Sequence, residues 1–173
     1  MWQGFIAGAV GAIVMTASEK LEQRLTGRPD SYVPADTMRR LMRGDKRREA
    51  ANWAMHLGQG ILLGPVRGVM ANVGLRGPWS SAMFTVLRLT NDQILENATG
   101  IGAPPQTWPR PELVLDLVHK AVYGFTTGVV ADSLAARHGP GAGQKHARMR
   151  PSRRANVGPP RRRLLVGGCG RAS

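Results

Sequence analysis

Four stretches of the chain run apolar for about the length of a bilayer-crossing helix, separated by polar or basic segments. From Met1 to Ser18 no residue is charged, and Trp2–Thr16 is apolar or glycine except for Gln3 and Thr16. Eighteen residues of helix rise about 27 Å, close to the hydrocarbon thickness of a bilayer. No basic segment precedes the stretch, as a cleaved signal peptide would require, so it reads as a retained first helix over about 2–19. A second helix is expected over 50–74, where Ala50–Val66 holds no Lys, Arg, Asp or Glu before Arg67 interrupts it. A third, 77–97, carries Arg88, Asp92 and Glu96, and a fourth, 112–136, carries Asp116 and Lys120. The fold class this predicts is all-α, a four-helix transmembrane bundle in residues 1–137. The mean hydropathy of −0.22 is low for a multi-span chain, and a soluble bundle of one-sided helices is the competing fold.

Two patterns favour the membrane. Small residues recur at helix-packing spacing: Gly4 and Gly8, Gly60 and Gly64, Gly124 and Gly128. Glycine inside a soluble helix costs roughly 1 kcal/mol against alanine, whereas in lipid it lets backbones approach closely. The stripes are open to packing within one chain or between copies, so a homo-oligomer stays in view. Trp2, Trp53, Trp79 and Trp108 all fall near expected helix ends, where the interface enriches tryptophan.

The chain also reads as an internal duplication. A shift of 73 residues lays Gly4 on Gly77, Glu19 on Asp92 and Thr26-Gly27 on Thr99-Gly100. Two more residues bring Pro29 onto Pro104 and Pro34 onto Pro109, and the fourth helix answers the second, His119, Gly124 and Gly128 against His56, Gly60 and Gly64, with a one-residue slip. Each hairpin crosses and returns, so Glu19, His56, Asp92 and His119 are expected on one face of the membrane. The extra length of the first loop, about 35–48, reads as a basic amphipathic surface helix.

Charge divides the chain. The formal total is +13, with 24 Lys and Arg against 11 Asp and Glu, yet residues 138–173 alone hold nine basic residues and no acid. That segment, rich in Gly, Pro and Arg, reads as a disordered basic tail suited to anionic lipid. A soluble basic protein that binds nucleic acid through the tail is the alternative, weakened because no aromatic interleaves the arginines to stack on bases. Cys169 is the single cysteine, which excludes a disulfide framework and a cysteine zinc site. Positive charge does not fix topology, with ten basic residues on one expected side and eleven on the other; a tail without acids, costly to translocate, places both termini in the cytoplasm.

Candidate chemistry is confined to polar residues near helix ends. Glu19, His56, Asp92 and His119, with Asp116 one turn before His119, could hold a proton or small ligand, a divalent metal, or serve only as interfacial helix ends. Arg88, Asp92 and Glu96, at i, i+4 and i+8, are expected to form an intramembrane ion pair. Arg67 has no acid nearby in sequence and needs a partner on another helix. Phosphate loops, nucleophile elbows and His-Glu-x-x-His are absent, so neither an enzyme activity, a metal nor a cofactor is assigned.

The Gly4/Gly8 opening helix, the His56 and glycine stripe, the Pro104-Pro105 loop with Trp108 and Pro109, and His119-x3-Tyr123-Gly124-x3-Gly128 together resemble the YagU-like bacterial inner-membrane proteins. The resemblance spans about residues 2–135, and the basic tail departs from it. It implies an integral inner-membrane protein linked to acid tolerance, with no established reaction.

Overall fold

The computed structural model describes residues 2–29, 33–42 and 48–149, and every element of regular structure among them is helical. Four long helices, α1 (Trp2–Thr26), α3 (Arg48–Val73), α4 (Pro78–Thr99) and α5 (Arg110–Ala136), are joined by shorter pieces: α2 (Val33–Met42), a 3-10 turn (Pro105–Thr107) and α6 (Ala142–Met149). At 1.5 Å per residue the long helices measure roughly 33 to 40 Å. α1 and α5 are long and apolar enough to cross a membrane, each with a mean hydropathy of 1.3 in its best window, of which only 33% is buried.

Helix ends follow local chemistry. Gly27 and Gly100 terminate α1 and α4 in the left-handed region, at φ 71° and 68°, where a Cβ would be strained. The Gly27 amide donates to Gln23 O (2.9 Å), and Ile101 and Gly102 amides both donate to Glu96 O (3.1 and 3.2 Å). Proline in the first turn starts α4 and α5 without losing a needed donor.

α1 packs along α3 and α5, α5 also packs along α4, and α2 lies against α3 and α4. The α1/α3 contact is backbone on backbone. A Cβ on Gly64 would lie 2.1 Å from Gly4 O, and one on Gly8 2.4 Å from Gly60 O. On the α4/α5 side the same glycine role is taken against hydroxyls: a Cβ on Gly124 would strike Thr85, and one on Gly128 would strike Ser81. α3 and α4 touch mainly through long side chains, Arg88 Nη2 to Gln59 Oε1 (3.1 Å) and Arg67 Nη2 to Ser81 Oγ (3.4 Å).

The buried hydrophobic residues form two small groups, Ala7, Ala71, Ala131 and Ala135, and Ala12, Met15, Phe84 and Tyr123. The largest fully buried side chains are instead Arg67 and Arg88, at 0% and 2% exposure. Outward positions carry Phe5, Ile6, Ile13 and Val14 on α1, Leu62, Val66 and Val69 on α3, Met83, Val86 and Leu87 on α4, and Val118, Phe125 and Val129 on α5. Trp2 and Trp79 are exposed at one end of the helices and Trp53 at the other.

The expected helices differ from the observed ones at specific places. The first continues past Glu19 to Thr26. The loop helix occupies Val33–Met42 rather than 35–48, with Thr37 buried beneath it; residues 43–47 lie outside the described residues. Residues 142–149, read from sequence as disordered tail, form α6, because Gln144 is buried against Gly74 and its Oε1 accepts from the Gly141 amide (3.1 Å). Residues 150–173, with most of the arginines on which nucleic-acid binding would rest, are outside the described residues.

Candidate functional site

Where α1 and α4 end and α3 and α5 begin, the helices leave a cavity of about 680 Å³. The Pro104–Pro109 loop forms part of its rim: Trp108 Nε1 donates to Ala103 O (2.8 Å) and Thr107 Oγ1 to Pro104 O (2.7 Å), which fold the loop back on itself. Arg28, just past the α1 cap, is held to Glu22 Oε2 at 2.9 Å and also lines the space.

All five residues singled out from sequence, Glu19, His56, Asp92, Asp116 and His119, line this cavity. They meet it in pairs. His56 Nε2 lies 3.3 Å from Glu19 Oε2, joining α3 to α1. Asp92 Oδ2 accepts from Arg88 Nε (3.0 Å) and lies 3.5 Å from Lys120 Nζ, joining α4 to α5. Lys120 also bonds Asp116 one turn before it. His119 is buried in the wall, but the base paired with Asp92 is its neighbour Lys120. The expectation that Asp92 and His119 mirror Glu19 and His56 therefore shifts by one residue.

The expected Arg88, Asp92, Glu96 ion pair is half present. Arg88 and Asp92 are joined; the Glu96 carboxylate is not part of the pair, and its buried Oε2 has no hydrogen-bond partner among the described residues. Helix geometry explains this: Arg88 reaches one turn forward to Asp92 and across to Gln59, and Glu96, two turns along, lies beside Gly102 after the cap. The metal alternative finds no ligand group, because among the described residues no three His, Cys, Asp or Glu side chains stand where they could share an ion.

Beneath the cavity the interior stays polar. Arg88 sits over the Tyr123 ring, 5.1 Å from its centroid, and Tyr123 Oη donates to Gly60 O (2.6 Å) between α5 and α3. At the opposite end Arg67 Nη2 meets Asp132 Oδ1 at 2.9 Å, while Asp132 Oδ2 accepts from the Gly77 amide (2.8 Å) and Arg67 Nη1 donates to Leu75 O (3.3 Å). Arg76 adds bonds to Ala71, Ala135 and Gly139 carbonyls. That end is tied shut around the α3–α4 turn.

Sequence reasoning missed Lys120 as a member of the site, the lining tryptophans Trp53 and Trp108, and Asp132 as the partner Arg67 needed. The last could have been found, since Asp132 is the only acid after Asp116. No family model, curated protein or solved structure matches this chain.

Proposed function

We propose that the chain is an integral membrane protein that crosses the bilayer four times and receives a small solute in the cavity at one end of the bundle, both termini lying on the cytoplasmic side. One observation carries the reading: the interior is charged and the outside is apolar. Arg67, Arg88, Asp92 and Lys120 are buried, while Leu, Ile, Val, Phe and Trp side chains face outward on all four long helices. In water this distribution forfeits hydrophobic burial; in lipid it shelters each ion pair. The two candidate spans leave most of their apolar windows unburied, unlike the core helix of a soluble protein.

A duplicated hairpin is supported by repeated contacts. Gly8 and Ser81, Ala12 and Thr85, Glu19 and Asp92, and the caps Gly27 and Gly100 stand 73 residues apart. Their partners Gly64 and Gly128, Gly60 and Gly124, and His56 and Lys120 stand 64 apart. The two carboxylate–base pairs at the cavity, Glu19 with His56 and Asp92 with Lys120, are thus one position used twice. Solute or proton handling in a bacterial inner membrane, and the acid-tolerance link implied by the YagU-like resemblance, belong to this same proposal, as does contact with anionic lipid.

Alkaline carbonate extraction of membranes that hold the full chain tests the reading. Retention in the pellet, with release only by detergent, is the expected result. Release into the carbonate supernatant would remove the spans, and the proposal with them.

A further inference from the structure

We propose that the cavity takes a small organic cation, an amine or ammonium compound with an apolar body, and that Glu96 supplies its counter-charge. The inference rests on the solute-receiving reading above and names the chemistry of the solute.

The charges around the cavity are unequal in availability. Four Lys or Arg residues line it against five Asp or Glu. Arg28 is held by Glu22, Arg88 by Asp92, and Lys120 by Asp92 and Asp116 together. Among the described residues, the Glu19 carboxylate is ion-paired with the imidazole of His56. Glu96 has no ion pair among the described residues, and its Oε2 is buried without a hydrogen bond. A buried carboxylate oxygen left in that state is unfavourable until a proton or a cation reaches it. The cavity therefore offers an unused anionic position and no comparably free cationic one on these three basic residues.

Shape and lining narrow the cation. No three acidic or imidazole groups converge, so a divalent ion has no ligand set among the described residues. A space of about 680 Å³ is also far larger than a bare ion needs. Its walls include Met15, Met55, Leu95, Ile101 and two tryptophans, Trp53 and Trp108. Indole faces attract ammonium groups and the thioethers and alkyl chains cover an apolar body. These are the walls of a site for an amphipathic amine.

The test uses the full chain in lipid nanodiscs and three probes with one carbon skeleton: phenethylammonium, phenylacetate and 2-phenylethanol, followed by equilibrium dialysis. Phenethylammonium is expected to bind saturably and at least tenfold more tightly than the other two. Glu96→Gln should weaken it at least tenfold, while Glu96→Asp, which keeps the charge, retains preference for the cation. If Glu96→Gln does not fold, the ranking of the three probes on the unaltered chain still decides. Equal binding of all three, tighter binding of phenylacetate, or an unchanged affinity in folded Glu96→Gln overturns the cation assignment and leaves the solute-receiving reading standing. Binding of none of them by a folded, membrane-inserted chain overturns both.

Discussion

Arg67 on α3 and Asp132 on α5 form an ion pair of 2.9 Å whose guanidinium is wholly buried. Removing one partner strands the other charge, which costs about 3 to 5 kcal/mol, more than the pair itself contributes. Asp132→Ala should therefore lower the unfolding free energy of the protein in detergent by an amount in that range. Arg67→Met in the same chain should restore at least half of the loss, because the uncompensated charge is gone. Tryptophan fluorescence during denaturant titration reads both, and a double variant no better than Asp132→Ala would contradict the pairing.

Gly64 and Gly58 lie on the same helix and should respond oppositely to one methyl group. A Cβ at Gly64 would sit 2.1 Å from Gly4 O and 2.7 Å from Gly8 Cα, whereas nothing lies within 4 Å of one at Gly58. Gly64→Ala must push α1 and α3 apart, for an expected loss of about 1 to 3 kcal/mol. Gly58→Ala relieves only the helix-propensity cost of glycine and should be neutral or gain up to about 1 kcal/mol. Thermal unfolding of the two variants side by side checks the sign of each.

These positions also mark how far the sequence is legible. The apolar runs and the Gly4/Gly8 and Gly60/Gly64 spacings locate long helices and one of their seams, since both depend on local pattern. The five polar candidates converge on one cavity because helix ends at equivalent depth meet at one end of the packed helices. What pattern could not settle was which of two neighbouring residues pairs with Asp92. His119 resembles His56 chemically, but one residue on a helix turns the side chain by about 100°, and it is Lys120 that lies beside Asp92. Nor does local pattern place Glu96 outside the Arg88–Asp92 pair, or dock α6 through Gln144 against Gly74, both of which depend on tertiary contacts.

Tyr123 has two separable roles. Its hydroxyl donates to Gly60 O at 2.6 Å, and its ring packs against Phe84 with centroids 5.7 Å apart. Tyr123→Phe should cost only about 1 kcal/mol, the worth of one hydrogen bond, and Tyr123→Ala about 3 to 5 kcal/mol as a cavity opens beside Arg88. Equal losses in the two variants, measured by the same unfolding titration, would show that the ring contacts contribute nothing beyond the hydroxyl.

The proposed four crossings would put the Pro104–Pro109 loop and the end of α5 on opposite faces of the membrane, and thiol labelling tests this directly. In right-side-out membrane vesicles, with Cys169→Ser as background, single cysteines are placed at Thr107 and at Arg137, both exposed. Thr107→Cys is expected to react with a membrane-impermeant maleimide in sealed vesicles, and Arg137→Cys only after permeabilisation. The reverse pattern would overturn the cytoplasmic placement of the termini but keep the crossings. Equal reaction of the two sites in sealed vesicles would contradict a membrane-spanning bundle.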